Sequence, residues 1–145
     1  MAVTTIIYPR SPREEMAGWV YLPRFIDKIR LSEAGQLHED YQPNYLYKGF
    51  DAKWLEKACL EADEFVELVK TTPTDGQLCD WVRENVEADD SIRELFNDAV
   101  VNYGSDEANI ELRERLAMRK EEAGMGGRDD IQCFVDFIDA DEGRL

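Results

Sequence analysis

The sequence predicts an all-α protein of about six or seven amphipathic helices with an extended N-terminal arm. Three observations carry that prediction. Apolar residues recur at helical spacing in one segment after another, and capping residues and glycines fall at the segment ends. No stretch of five or more residues alternates with strand period while carrying the β-branched and aromatic residues that strands prefer. At 145 residues, 43% of them hydrophobic, the chain has the size of one domain, without internal repeats or a dividing linker. Residues 1–145 are therefore expected to form a single helical unit.

Val3–Tyr8 is the one segment with an extended composition, read as an arm lying on the helices. Ser11-Pro-Arg-Glu14 has a helix-start signature, with Ser at the N-cap, Pro at the first position, Glu three residues after the cap and Gly18 as the stop. Leu22, Phe25, Ile26 and Ile29 are spaced for one face of a helix that runs from Pro23 to near Gly35. Residues 38–50 mix Pro43, Asn44 and Gly49 with Tyr41, Tyr45, Tyr47 and Phe50, the composition of an ordered, aromatic-rich connection. Asp51 is placed to cap a helix carrying Leu55, Ala58 and Cys59, and Asp63 a shorter one with Phe65, Leu68 and Val69 on one side. Thr74 or Asp75 begins a helix with Leu78, Trp81, Val82 and Val86 inward. Asp89 or Asp90 caps the clearest amphipathic segment, where Ile92, Leu95, Phe96, Ala99 and Tyr103 share a stripe. Gly104 ends it, and Ser105 is placed to cap a longer helix to about Ala123 bearing Ala108, Leu112 and Leu116, with Glu111 and Arg115 as an i,i+4 pair. After the break at Gly124, Gly126 and Gly127, a last helix carries Ile131, Phe134, Val135 and Ile138.

Composition narrows the chemistry. The formal net charge of −15 opposes long-range attraction to nucleic acid or to an anionic membrane, and neither partner is expected. No apolar run approaches the ~20 residues of a membrane span, and the N-terminus lacks the order of regions of a signal peptide. With Cys59, Cys79 and Cys133 odd in number and widely spaced, free thiols in the cytoplasm are expected. The single histidine, His38, has no Cys or His partner at zinc-ligand spacing, and two Glu-x-x-His motifs of a di-iron bundle are impossible with one histidine. No nucleophile elbow, Walker sequence or dinucleotide fingerprint is present. The acidic run from Asp136 to Glu142 reaches the chain end before a twelve-residue calcium loop closes. No cofactor or metal is expected.

The charge is unevenly distributed. Residues 1–30 hold five basic and three acidic side chains, a net of +2, whereas residues 31–145 carry −17. On the helix from Pro23, Arg24 and Lys28 stand at i,i+4, a like-charge pair that destabilises a helix unless an anion faces it. Two anions fit: the protein's own C-terminal acids, Asp136, Asp139 and Asp141, or a small external phosphate or carboxylate. With the aromatic connection beside them, Arg24, Lys28, Tyr45, Lys48 and Trp54 form a candidate ligand-binding set.

The strings Arg10-Ser-Pro-Arg13, Leu22-Pro-Arg-Phe-Ile-Asp-Lys28, Ala34-Gly35, Asp40-Tyr41, Lys48-Gly-Phe-Asp51 and Phe137-Ile-Asp-Ala-Asp-Glu-Gly-Arg144 resemble a bacterial family of small acidic proteins. That family is a domain of unknown function, number five thousand and sixty-nine. The resemblance covers almost the whole chain and implies a small soluble bacterial protein, with no activity, cofactor, partner or catalytic residue attached to it. Beside it stand three functional readings. The first is a non-catalytic binding module with a small cationic and aromatic site. The second is a magnesium-dependent hydrolase of nucleotides or phosphorylated metabolites, holding its metal with the helical acids Glu61, Glu64, Glu67, Glu84, Glu87, Glu111 and Glu114. The third is a regulator that acts only through a protein partner.

Overall fold

A computed structural model describes residues 6–145 of the chain. Of the expected N-terminal arm, residues 3–5 lie outside the described residues, and Ile6–Tyr8 has no regular secondary structure. Seven α-helices follow a small hairpin: α1 Leu22–Glu33, α2 Gly49–Ala58, α3 Ala62–Thr71, α4 Asp75–Asn85, α5 Asp90–Val101, α6 Ile110–Glu122 and α7 Phe134–Asp141. A 3₁₀ helix, Glu39–Asn44, links α1 to α2.

The hairpin replaces the helix expected at Ser11. Strands β1 (Glu15–Met16) and β2 (Trp19–Val20) pair antiparallel around Ala17 and Gly18. Both turn residues have positive φ, 54° and 83°, the backbone that matches the twist of a two-residue hairpin loop. A helix between Pro12 and Gly18 would have been too short to sustain itself. The hairpin instead buries Met16, Trp19 and Val20, and Asn97 on α5 holds it from outside: its side chain accepts from the Val20 amide at 3.0 Å and donates to the Gly18 carbonyl at 2.9 Å.

Several helix starts also shift. Lys48 rather than Asp51 precedes α2, leaving Asp51 buried in its first turn. Glu61 rather than Asp63 caps α3, in a reciprocal capping box with Glu64. Thr74 caps α4 by accepting from the Gln77 amide, and Asp89 caps α5 through the Ile92 amide. Asn109 rather than Ser105 caps α6, because Tyr103–Ala108 is spent on turns.

The core centres on Trp19, Phe25, Trp54, Phe65 and Phe96, with Leu22, Ile26 and Ile29 from α1 fully enclosed. Trp19 meets Trp54 and Phe96 edge-on, at centroid separations of 6.0 and 5.5 Å. On α5 the inward stripe is Phe96 and Val100, both buried, with Ile92 partly buried; Leu95, expected inward, is 70% exposed, and Ala99 is exposed as well. The hairpin claims one side of α5 and α2 another, which rotates the helix away from the face that periodicity alone selects. Of α6 only Leu116 is buried. No helix among the described residues is long and apolar enough to cross a membrane.

Candidate functional site

Two cations on α1 anchor the site, and each carries its own anion. Arg24 is 4% exposed and holds Glu142 through two bonds, from Nη1 at 2.8 Å and from Nη2 at 2.7 Å. The Tyr41 hydroxyl donates to the same carboxylate at 2.8 Å, and Arg144 adds a further contact. Burial alone would raise the Glu142 carboxyl, but the bonds from Arg24 and Tyr41 outweigh it and hold the group below the usual glutamate range.

Lys28 is the second anchor, 3% exposed. Its ammonium donates to the fully buried Asp51 at 2.9 Å, to the Asn44 carbonyl at 3.0 Å and to the Tyr21 hydroxyl at 3.3 Å. These partners match its three protons. Tyr21 donates in turn to Asp51 at 2.5 Å, and Asp51 also accepts from the Leu46 amide at 3.0 Å. Burial pushes the Lys28 ammonium below its ordinary value, against the pull of Asp51. Tyr21, the residue before α1, sits in the left-handed region at φ 75°, a conformation a tyrosine adopts only when its surroundings over-determine it.

Above these two pairs opens a cleft of about 670 Å³, walled by α1, the 3₁₀ helix, α2, α6 and α7. A file of rings runs along it: Tyr21 to Phe50 at 5.3 Å, Phe50 to Tyr103 at 5.4 Å, and Tyr103 to Phe134 at 5.3 Å between centroids. Lys53 lies over this file, 4.6 Å from the Tyr103 centroid and 5.5 Å from that of Phe50. Arg115 and Arg119 reach the cleft from α6.

Of the five residues marked in the sequence, Arg24 and Lys28 line the cleft and the other three do not. Trp54 is 0% exposed at the centre of the core, Tyr45 packs partly buried against that core, and Lys48 is exposed ahead of α2. None of the C-terminal acids expected opposite Arg24 and Lys28 pairs with either of them. Asp136 and Asp139 pair with Arg13 at 2.5 and 3.0 Å, and Asp141 stays on the rim. Glu142, one residue further, takes Arg24. Asp27, which follows Phe25 and Ile26 on α1, accepts from Arg10 instead.

Lys53, Tyr103, Arg119 and Phe134 line the cleft without belonging to the set of five expected from the sequence. A signal for the cations was present: the i,i+4 like-charge criterion that selects Arg24 and Lys28 also selects Lys53 with Lys57 and Arg115 with Arg119. The rings carried no such mark, since an aromatic on an apolar stripe reads as core.

The seven glutamates of the metal-dependent reading are all exposed. No group of three or more His, Cys, Asp or Glu side chains suited to a metal is found among the described residues. Glu61 and Glu64 are occupied in capping α3.

The family model described as a domain of unknown function (DUF5069) matches residues 6–144. No curated protein matches the chain.

Proposed function

We propose that this chain, which belongs to the DUF5069 family, is a non-catalytic binding module whose cleft takes a small organic anion with a flat or aromatic body. The observation that carries this reading is a pair of cations without acid partners. Acids outnumber bases 32 to 17 in the chain, yet Lys53 and Arg119, both on the cleft wall, make no ion pair among the described residues. Arg24 and Lys28 belong to the frame of the cleft, because Glu142 and Asp51 neutralise them. The rings offer faces for a planar body, and a volume of about 670 Å³ lies within the ~300–1,000 Å³ span of small-molecule sites. Three free cysteines suit a reducing compartment, and we place the protein in the cytoplasm.

A thermal-shift screen of aromatic and aliphatic carboxylates and phosphorylated metabolites tests the reading. A ligand at a hundred times its dissociation constant adds about 2.7 kcal/mol to stability, a readily visible shift. Lys53→Met and Arg119→Gln, both surface changes, are expected to abolish that shift while leaving the unliganded midpoint within about 0.5 kcal/mol. An anion screen that leaves the midpoint unmoved overturns the proposal.

A further inference from the structure

The charges on the cleft wall are of both signs. Five cations line it, Arg24, Lys28, Lys53, Arg115 and Arg119, together with five acids, Glu39, Asp40, Glu122, Asp141 and Glu142. Glu142 closes on Arg24, Asp51 behind the wall closes on Lys28, and Arg115 pairs with Glu111 at 3.6 Å. What remains is Lys53 and Arg119 against Glu39, Asp40, Glu122 and Asp141. An anion held by the two cations gains further if it also carries a positive group that meets these acids, in a molecule already at −15.

The four acids are not equivalent. Asp141, at the end of α7, lies beside Glu142 and close to Asp40 of the 3₁₀ helix. Burial, and then the charges of Glu142 and Asp40, raise its carboxyl above the ordinary aspartate range. Asp40 has only His38 within ion-pair reach, at 3.5 Å. Among the described residues no lysine or arginine pairs with either acid at this corner of the rim, while the aromatic file carries Lys53 over its middle.

Resting on the binding reading above, we propose that the cleft recognises a bipolar molecule, a compact aromatic body bearing both an acidic group and a protonated amine. The acidic group meets Lys53 and Arg119, the amine meets Asp141 and Asp40, and the ring lies against Tyr103 and Phe50. Aromatic zwitterions of the amino-acid kind have this chemistry.

Three matched probes separate this inference from the broader one: phenylalanine, its deaminated acid 3-phenylpropanoate, and its decarboxylated amine phenethylammonium. Each is titrated into the full chain at low salt, with dissociation constants read from NMR shifts of the Tyr103 and Phe134 ring protons. Phenylalanine is expected to bind about twofold to fivefold tighter than either partial probe, the worth of one partly exposed ion pair. Asp141→Asn removes that advantage without weakening 3-phenylpropanoate, whereas Lys53→Met weakens both acids and spares the amine. Equal affinity for phenylalanine and 3-phenylpropanoate overturns the bipolar assignment and leaves the anion reading standing. Binding by the amine alone, or by none of the three at millimolar concentration, overturns both.

Discussion

At the scale of single residues, the protein is organised by two buried ion pairs that the chain supplies to itself. Arg24 and Glu142 are 118 positions apart in sequence, and both are below one-tenth exposed. Such a pair is a weak source of net stability, but removing one member leaves a bare charge out of water. Glu142→Gln is therefore expected to cost about 3–5 kcal/mol by urea denaturation, and Arg24→Met combined with Glu142→Leu to recover most of it. The pH dependence has a definite sign. The folded Glu142 carboxyl lies below its unfolded value, so its contribution is complete above the unfolded glutamate range and fades as pH falls through the folded value. Stability of the native chain should decline below about pH 4.3, and more shallowly in Glu142→Gln; parallel slopes in the two proteins would refute the linkage. Half of this arrangement was legible. A like-charge pair on α1 announced that anions must face Arg24 and Lys28, and the C-terminus was the right quarter for one of them. Asp51 was hidden because an aspartate ahead of an apolar run reads as a helix cap, and nothing local distinguishes a cap from a buried counter-ion.

At the scale of elements, all seven helices α1 to α7 were legible from periodicity, though the caps of α2, α3 and α6 shifted, and the failures cluster where a distant partner decides. The hairpin at Glu15–Val20 depends on Asn97, 77 residues from Val20, whose side chain completes its hydrogen bonds. A short stretch with a helix-start signature has no means of recording that. Glycines show the same division. Gly35 and Gly104 both sit at positive φ, 70° and 90°, but a Cβ at Gly35 would meet nothing, whereas at Gly104 it would come within 2.6 Å of the Phe134 ring. Gly35→Ala should cost only the left-handed strain, about 1 kcal/mol. Gly104→Ala adds a clash inside the aromatic file, and a loss of about 3 kcal/mol is expected. Denaturant midpoints compare the two directly, and equal losses would mean that Phe134 is free to move aside. Helix α6 stands apart, since it buries a single leucine and is otherwise held by polar bonds, from Arg113 to the Gly104 and Gln132 carbonyls and from Lys120 to those of Arg128 and Ile131. Its amides should exchange with solvent faster than those of α1, which hydrogen-exchange mass spectrometry resolves helix by helix.

At the scale of the whole molecule, the same negative excess that shapes the cleft also loads the fold. A net charge of −15 on 145 residues imposes a net repulsion across the surface. The exposed ion pairs, such as Lys70 with Glu33 at 3.7 Å and Arg115 with Glu111 at 3.6 Å, return little in water. The pairs that matter, Arg24 with Glu142 and Lys28 with Asp51, are buried and so are barely reached by dissolved ions. Added salt should then relieve repulsion across the surface while leaving the internal pairs intact. Raising sodium chloride from about 0.02 M to about 0.5 M, which shortens the screening length from roughly 20 Å to about 4 Å, is expected to increase the melting temperature by several degrees. Were the fold held chiefly by its surface ion pairs, the same titration would lower it. The measurement is a thermal scan across a salt series at neutral pH, repeated with sodium sulfate at matched ionic strength to separate screening from the strengthening of apolar burial by that anion. A falling melting temperature in chloride would show that the surface pairs outweigh the repulsion between like charges.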